Sequence, residues 1–342
     1  MNKKILIMML WVVVLILFFT ACNAKSKIAN SDLKGIAIFN KDENLVLDYI
    51  PTEKIGLSQV LKKEIKDEVY IITSSGSVVN TTPEIYLQSD SNSIFALDNW
   101  DKIQDIVGIY IGDEYNSITD AYDHAKNHLD NGEKIMVVLL DGFSFGQYKL
   151  AEERDTLNFL NKHFKNEALS VFTPVTNAGF AAMITGVTPD VNGVHDRSFR
   201  TMKVDSIFDY AIKNQKKAVL LEADIKILNT EIEPMLHIDI NNDGNIDDEI
   251  YETAKLLVEE DYDFIFIHFH GIDDRGHSYG PKDKRTMDYI STIDGYLEEI
   301  SHIWDGHMIL TSDHGMHETE EAGDHGECIN EDMVVPYFKR EQ

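Results

Sequence analysis

Cysteine and basic residues are scarce in this sequence. Only two of its 342 residues are cysteine, which excludes a disulfide framework and a cysteine-rich zinc module. Any bound metal must therefore be held by histidine and carboxylate side chains. Lys and Arg number 31 against 59 Asp and Glu, which gives a formal net charge of −28 at pH 7. Because a protein that neutralises nucleic-acid phosphates needs a basic face, this composition excludes nucleic acid as a partner.

The sequence also lacks an apolar run long enough for a standard membrane-spanning helix, which needs about 20 residues. The apolar run at 5–19 is shorter; it follows two lysines and ends in small residues before Cys22. This order is typical of an export signal, and the FTAC sequence at 19–22 resembles a bacterial lipobox. We therefore predict a lipoprotein-type signal peptide over 1–21, lipidation of Cys22, a tether over 22–32, and a lipid-anchored position on the outer side of the bacterial cell membrane. An uncleaved N-terminal anchor is the alternative.

The full sequence is 43% hydrophobic, which is enough for a sizeable core. The chain after the tether has two different patterns. Short β-type runs separated by turns predict a small β-rich domain over 33–115; the runs lie at 35–39, 45–50, 69–73, 84–87 and 106–111. From 130 to 342, strongly apolar runs alternate with amphipathic helical stretches; the runs lie at 135–140, 169–172, 218–221, 264–269, 308–310 and 333–338. This alternation predicts an α/β domain with a central, mostly parallel sheet between helical layers.

Chemically active side chains follow several of these apolar runs. In open α/β sheets, ligands bind beyond the carboxyl ends of the strands, so these side chains should meet at one edge. Carboxylate and imidazole suit Zn²⁺, Mn²⁺ or Fe, and two metals about 4 Å apart can clamp the attacking and leaving oxygens of a phosphoryl displacement. The sequence thus predicts a two-metal site, with Zn²⁺ as the favoured ion. Its residues are Asp141, Thr176, Asp273, His277, Asp313, His314 and His325.

Thr176 is the candidate nucleophile. Residues 177–185 are rich in Ala, Met and Ile and precede Gly186, a pattern that predicts a helix with a C-terminal glycine. Thr176 would lie at the N-terminus of this helix, where backbone amides and the helix dipole favour an anion. A metal on the hydroxyl would lower its pKa further. The alternative is an ordinary Thr N-cap.

Several motifs occur in the order of a known family. They are VVLLDG at 137–142, TPVTNAGFAAMITGVTPD at 173–190, NGV at 192–194, DDRGHSYGP at 273–281, TSDHGM at 311–316 and HG at 325–326. With these motifs, the chain from about 133 to 342 resembles the alkaline phosphatase superfamily, in its type I phosphodiesterase/nucleotide pyrophosphatase branch. The resemblance implies that family's fold and a phospho-threonine intermediate at Thr176. It also implies one metal held by Asp141, Thr176, Asp313 and His314, and another held by Asp273, His277 and His325.

The same resemblance implies a metal-dependent hydrolase of a small phosphoester, either a diester or a monoester. In the phosphodiesterase branch, an Asn three residues after the Thr binds a phosphate oxygen, but Gly179 stands at that position here. We therefore consider Asn177, His195 and Arg197 as substrate contacts. A transferase that moves a phosphorylated head group on the cell envelope is the alternative. A non-catalytic, calcium-dependent surface protein on the same scaffold is a third hypothesis.

Two other motifs compete with this interpretation. Residues 142–146 fit G-x-S-x-G, which would make Ser144 the nucleophile of a serine hydrolase. An acidic loop matches the first nine positions of a calcium loop, but Ile250 stands where an EF-hand needs Glu. Bound Ca²⁺ and a solvated loop are both open; the candidate ligands are Asp239, Asn241, Asp243, Asn245 and Asp247. His268 and His270 share one strand face, and we interpret them as packing or outer groups rather than ligands.

Overall fold

The computed structural model describes residues 35–341 apart from 92, 99–100 and 113–115, with the backbone alone at 164 and 165. The predicted signal peptide, Cys22 and the tether lie outside the described residues, so these assignments stay predictions. Within the described part of the chain, no helix combines the length and the apolar character needed to cross a bilayer.

The N-terminal region forms two sheets, which agrees with its predicted β-rich character. In spatial order, the first contains β2 (Asn44–Leu47), β1 (Ile36–Phe39), β9 (Ile106–Gly112), β4 (Glu68–Thr73) and β5 (Val78–Thr81). The second contains β3 (Ile55–Gly56), β6 (Tyr86–Ser89), β7 (Ile94–Asp98) and β8 (Asp101–Ile103). A short helix, α1 (Leu57–Leu61), follows β3.

The first N-terminal sheet is covered on both faces. Successive residues of a strand point to opposite faces. Ile36 and Ile38 pack in a core confined to the N-terminal region, whereas Ala37 and Phe39 join the large core of the C-terminal region. The N-terminal sheet is therefore packed against the α/β region. The predicted domain boundaries at 115 and 130 stay a prediction.

The central sheet has seven strands. In spatial order they are β11 (Phe164–Leu169), β18 (Val334–Arg340), β15 (His307–Thr311), β10 (Ile135–Leu140), β14 (Phe264–Phe269), β12 (Ala218–Glu222) and β13 (Met235–Leu236). The five strands from β15 to β13 are parallel, and β18 runs antiparallel to β15. A separate small ribbon pairs β16 (His317–Glu318) with β17 (Gly323–Asp324).

Helices cover both faces of this sheet, as the alternation along β10 shows. Met136 and Val138 belong to one core, and Ile135 and Val137 belong to the other. Helices on the first side are α3 (Phe145–Glu153), α4 (Leu160–His163), α8 (Asp247–Leu257), α9 (Gly271–Tyr279), α10 (Lys284–Ile303) and α11 (Asn330–Met333). On the other side lie α2 (Asp120–Asp130), α5 (Thr176–Thr185), the adjoining α6 (Pro189–Asn192) and α7 (Ile207–Lys213). The predicted fold class, a mostly parallel sheet between helical layers, is confirmed.

The prediction of a strand at 169–172 is wrong. The strand is β11, over Phe164–Leu169, and the chain then continues as an irregular segment toward α5. Because β11 lies at the edge of the sheet and contains the polar sequence KNE at 165–167, it lacks the apolar run that marks the central strands. Ser170 and Val171 are buried nevertheless, and burial alone does not separate a packed loop from a strand.

Candidate active site

Three neighbouring parallel strands end at the same level of the sheet. β10 pairs with β14 as far as Leu140 opposite Phe269, and with β15 as far as Leu139 opposite Thr311. The segments that follow these strands therefore lie side by side. The segments after β10 and β15 carry the predicted ligands Asp141, Asp313 and His314. The segment after β14 begins α9, the helix that carries two more predicted ligands, Asp273 and His277. This placement agrees with the general position of ligand sites beyond the carboxyl ends of parallel strands.

The first group of candidate ligands surrounds Nε2 of His314. This nitrogen lies 3.4 Å from Oδ1 of Asp141, 3.4 Å from Oδ2 of Asp313 and 3.4 Å from Oγ1 of Thr176. One ligand atom each from Asp141, Asp313 and His314 lies within 4.8 Å of the others. All four side chains are buried. These atoms are close enough to share one cation.

The second group adjoins the first. Nε2 of His277 lies 3.4 Å from Oδ2 of Asp273, and Nε2 of His325 lies 3.8 Å from Oδ1 of the same carboxylate. The rings of His325 and His314 stack with their centroids 3.8 Å apart. The structure thus brings all seven predicted residues together. His314 lies close to Asp273 and His325 as well as to Asp141 and Asp313, so the division of the ligands between two metals stays a prediction.

The orientation of the three imidazoles fits a metal site. Each Nδ1 lies at hydrogen-bond distance from a backbone carbonyl: His314 at 2.9 Å from Gly315, His325 at 2.8 Å from Pro174, and His277 at 3.1 Å from Gly323. A ring that donates its Nδ1–H to a carbonyl keeps a lone pair on Nε2, and such outer partners are usual for metal-binding histidines. In all three residues, Nε2 faces the carboxylates.

Unpartnered atoms fit the same conclusion. Oδ1 of Asp141, Oδ1 of Asp273, Oδ2 of Asp313 and Nε2 of His277 are buried and have no hydrogen-bond partner among the described residues. Buried polar atoms are rarely left without a partner, because the desolvation cost is not recovered. Nine such atoms occur in the described residues, and these four belong to predicted ligands that lie together. The residues present therefore fit two divalent metals.

Burial and neighbouring charges shift the pKa values of three side chains in the cluster. Burial and the neighbouring Asp141 carboxylate raise the pKa of Asp313 to about 7. Burial opposes the charged form of His314, but Asp313 and Asp141 outweigh it and raise its pKa to about 10. Burial and the charge of His314 lower the pKa of His325 to about 4. Since ligands must be deprotonated to bind a metal, metal uptake at this site would release protons.

Thr176 is the first residue of α5. The N-cap is the extended residue Val175, so the alternative of an ordinary Thr N-cap is wrong. Gly186 ends the helix in the left-handed conformation with φ 71°, as predicted for a C-terminal glycine. The Thr176 hydroxyl therefore lies between a helix N-terminus and the first ligand group, which is where an anionic phosphoryl group would be stabilised.

The three candidate substrate contacts differ in position. Asn177 is buried and donates from Nδ2 to the carbonyl of Phe199 at 2.9 Å, so it holds the 195–200 segment in place. Arg197, on that segment, donates from Nη2 to Nε2 of His325 at 2.6 Å. The ring of His195 packs edge-on against Phe199, with 5.6 Å between centroids. Of the three, Arg197 contacts a candidate metal ligand.

Close packing explains why Gly179 stands where the family has Asn. A Cβ at position 179 would lie 2.6 Å from Cβ of Asp313 and would also meet its carbonyl oxygen. No side chain fits there, because α5 lies directly against the segment that carries Asp313. An amide side chain at this position is therefore not available to a ligand, and phosphate binding by the site stays a prediction.

An outer set of three residues supports Asp141. His268 lies with Nε2 3.1 Å from Oδ2 of Asp141 and with Nδ1 3.1 Å from Oε2 of Glu222. His270 reaches the same two carboxylates at 3.5 and 3.4 Å, and the two rings stack 3.7 Å apart. Burial opposes the charge of Asp141, but its contacts with His268 and His270 outweigh burial and hold its pKa well below the usual range.

Only part of this outer set was predicted from the sequence. The prediction that His268 and His270 are outer groups agrees with their placement, although both also lie close enough to Asp141 to share an ion with it. Glu222 was missed. Its signal was an acidic residue directly after the apolar run at 218–221, on the strand that pairs with β14.

Ser144 has a structural position in the described chain. Its Oγ accepts the N–H of Gln147 at 3.1 Å, and Oε1 of Gln147 accepts the N–H of Ser144 at 2.8 Å. This reciprocal pair caps the N-terminus of α3. The arrangement gives the serine-hydrolase alternative no support.

The acidic loop is tied to the neighbouring helices at one end. Asp247 accepts the N–H groups of His270 and Gly271, both at 2.8 Å, at the start of α9. Asn245 accepts the hydroxyl of Tyr289 at 2.6 Å. At the other end, Asp239, Asn241 and Asp243 accept N–H groups within the loop itself. Asp247 thus supports the helix that carries two candidate metal ligands, and a calcium site in this loop stays a prediction.

Comparison with known proteins gives local matches. Residues 221–337 match the family model described as type I phosphodiesterase / nucleotide pyrophosphatase. The mouse ectonucleotide pyrophosphatase/phosphodiesterase family member 7 is 35% identical over 80 residues, which are 21% of this chain and 17% of that protein. The catalytic subunit of human GPI ethanolamine phosphate transferase 2 is 24% identical over 225 residues, which are 59% of this chain and 23% of that protein. The chain thus spans less than a quarter of the length of these curated relatives.

Two solved structures are similar over about half of the chain. Murine ectonucleotide pyrophosphatase/phosphodiesterase 5 in complex with AMP has a TM-score of 0.41 and 18% identity, and covers 55% of this chain and 59% of that chain. Phosphonoacetate hydrolase from Sinorhizobium meliloti has a TM-score of 0.42 and 16% identity, and covers 54% and 56%. The sequence match over residues 221–337 contains five of the seven candidate residues. The predicted resemblance to the type I phosphodiesterase / nucleotide pyrophosphatase branch of the alkaline phosphatase superfamily is confirmed over this part of the chain.

Proposed function

We infer that this chain is an enzyme that hydrolyses a phosphoester through a covalent phospho-threonine at Thr176. The observation that carries this proposal is the position of one hydroxyl. Oγ1 of Thr176 lies at the N-terminus of α5, 3.4 Å from Nε2 of His314, and beside two groups of side chains that fit divalent metals. The relationship to phosphodiesterases and to phosphate transferases supports the same class of reaction.

Two metals would be divided between the two groups. One would be held by Asp141, Asp313 and His314 together with Thr176, and the other by Asp273, His277 and His325. When bound, such metals lower the pKa of the hydroxyl and neutralise charge on the phosphoryl group. The mixture of carboxylate and imidazole favours Zn²⁺, with Mn²⁺ and Fe as alternatives.

The chain's own groups position the reaction. Oγ1 of Thr176 forms a bond to phosphorus as the bond from phosphorus to the leaving oxygen breaks, and the hydroxyl proton passes to solvent. The backbone amides of the first turn of α5 stabilise the phosphoryl oxygens. Because a metal would use Nε2 of His325, the guanidinium of Arg197 would turn from that nitrogen to a phosphoryl oxygen. Water then attacks phosphorus, releases phosphate or its monoester, and restores the threonine.

A transferase is the second candidate function. The longer of the two sequence matches, over 225 residues, is to an ethanolamine phosphate transferase. The first step would be the same, but an alcohol would replace water in the second. Turnover of one diester in the presence of an added alcohol separates the two functions. If the ratio of transfer product to hydrolysis product exceeds the molar ratio of alcohol to water, the result would favour the transferase.

The proposed substrate is a small phosphoester on the outer side of the membrane. This location depends on the predicted signal peptide and on lipidation of Cys22. Both a diester and a monoester remain candidates, since Gly179 leaves no space for the amide that the diester-cleaving branch uses. A panel of chromogenic monoesters and diesters, assayed with each candidate metal, would identify the preferred class.

Replacing the nucleophile tests the proposal directly. In Thr176→Ala, turnover of a chromogenic phosphodiester should fall at least about 1,000-fold, because the covalent route is lost. The other ligands remain, so metal analysis should still find most of the bound metal. Thr188→Ala, which changes a half-buried threonine at the start of α6 outside the predicted ligand set, is the matched control and should keep its activity. An unchanged rate in Thr176→Ala would mean that another group is the nucleophile.

A further inference from the structure

A second cluster of histidine and carboxylate lies at the opposite end of the central sheet. His128 is in the last turn of α2, Glu133 is in the turn before β10, and His307 is the first residue of β15. β10 and β15 are parallel, with Ile135 opposite His307. The candidate active site follows the other ends of the same two strands. Six residues of strand at about 3.3 Å each separate the two clusters by roughly 20 Å.

The cluster places three ligand atoms together. Oε2 of Glu133 lies 2.7 Å from Nδ1 of His128 and 3.5 Å from Nε2 of His307. The two rings stack with centroids 3.9 Å apart. One atom from each side chain lies within 4.8 Å of the others. Tetrahedral ligands about 2.0–2.1 Å from Zn²⁺ are about 3.3–3.4 Å apart, so small rotations of these side chains would complete such a site.

The second nitrogen of His307 gives an independent indication. Its Nδ1 lies 2.9 Å from Oε2 of Glu341. A ring that donates Nδ1–H to a carboxylate keeps its lone pair on Nε2, and Nε2 is the atom that faces Glu133. This is the same outer arrangement that orients the three imidazoles of the candidate active site.

We propose that His128, Glu133 and His307 form a separate binding site for a divalent transition metal of the zinc class. Two imidazole nitrogens and one carboxylate oxygen suit Zn²⁺ and disfavour Ca²⁺ or Mg²⁺, which prefer oxygen alone. The side chains are 19%, 42% and 13% exposed, respectively, so solvent can supply a fourth ligand. The site joins α2, the start of β10 and the start of β15. A metal there stabilises the native fold by mass action and takes no part in the chemistry at the other end.

Counting bound metal tests this proposal. The full-length chain, purified in detergent and stripped with a chelator, is titrated with Zn²⁺ against a competing indicator. The wild type should bind three equivalents, and His128→Gln combined with His307→Gln should bind two. His302→Gln changes an exposed histidine at the end of α10 and is the control, with three equivalents. In Asp273→Asn combined with Asp313→Asn, which disables the predicted catalytic pair, one equivalent should remain and should disappear when His128 and His307 are also replaced.

A milder variant keeps the test informative if the double variant does not fold. Glu133→Gln retains both rings and their stacking, and it should weaken binding of the third equivalent at least about tenfold. Co²⁺ added to the variant with the disabled catalytic pair should give the visible absorption of a four-coordinate site. Two equivalents in the wild type, or three in the variant that lacks both histidines, would overturn the proposal. In that case His128, Glu133 and His307 form ordinary imidazole–carboxylate contacts without a metal.

Discussion

The two ends of strands β10 and β15 carry the same kinds of side chain in different surroundings. At the carboxyl ends, Asp313 and His314 are completely buried and Asp141 is nearly so. At the amino ends, His128, Glu133 and His307 remain partly open to solvent. At the carboxyl ends, α5 packs directly against the segment that carries Asp313, and the ring of His325 stacks on that of His314.

This difference shows how the fold makes one cluster suitable for chemistry. Burial removes water that would otherwise screen the charges, so a carboxylate and an imidazole change each other's pKa strongly at the carboxyl ends. Parallel strands also direct the N-terminus of the following helix to that edge, which adds dipoles that favour an anion. The last turn of α2, which carries His128, lies near the amino ends instead. They can hold a cation but do not present a nucleophile to a phosphoryl group.

The largest effect that distinguishes the two ends is expected from Asp313→Asn. The replacement keeps the shape but removes the charge of a predicted ligand. Affinity for one of the two proposed metals should fall by more than the roughly 10–100-fold that loss of an outer partner costs, and the proposed phosphoester turnover should fall with it. Zinc titration and a chromogenic assay measure both.

The control for this variant is Asp261→Asn, whose carboxylate is 98% exposed. Binding at His128, Glu133 and His307 should be unchanged in both proteins. A parallel loss at the two ends would show that they do not act independently and would contradict the comparison.

A smaller effect is expected from Glu222→Gln. Glu222 touches no predicted metal ligand directly; it holds His268 and His270, which in turn hold Asp141. With one charge removed, metal affinity of the first group should decrease about 10–100-fold. KM for the substrate should change less than kcat, because the orientation of Asp141 affects the reacting centre.

Glu252→Gln is the matched exposed control on α8. Equal zinc affinities in the two glutamine variants would mean that the outer set does not position Asp141. The same measurement at the amino-end cluster should show no change in either protein.

The smallest effect concerns the packing that closes the carboxyl ends. Gly179→Ala places a Cβ 2.6 Å from Cβ of Asp313, so α5 must move. The free energy of unfolding should decrease by about 1–3 kcal/mol, as for other overpacked sites. Gly295→Ala, in the middle of α10, meets no atom within 4 Å. It should instead stabilise the protein by roughly 0.5–1 kcal/mol, because Ala favours a helix.

Denaturant unfolding measures both glycine variants. If Gly179→Ala is as stable as Gly295→Ala, the close contact between α5 and the Asp313 segment is not a constraint. The absence of the family's Asn would then need another explanation.

The sequence predicted the central strands well because their signal is local. The apolar runs at 135–140 and 264–269 coincide with β10 and β14, since strands buried on both faces need continuous apolar residues. Edge strand β11 was missed because it does not need them. The seven residues of the candidate site were predicted from their positions after strands and from the motifs of the family. Glu222 and the carbonyl partners of the histidines were not found, because their role depends on contacts between distant segments.

By itself, the sequence determined the alternation of the central strands with helices, a helix beginning near Thr176 and the types of ligand available. These follow from residue periodicity and from chemistry that each residue carries wherever it lies. Only the tertiary structure decided which ring nitrogen faces the site, that Asn177 holds a loop, and that the N-terminal sheet shares a core with the α/β region. Such features depend on distances between residues far apart in the chain, and those distances are set by packing.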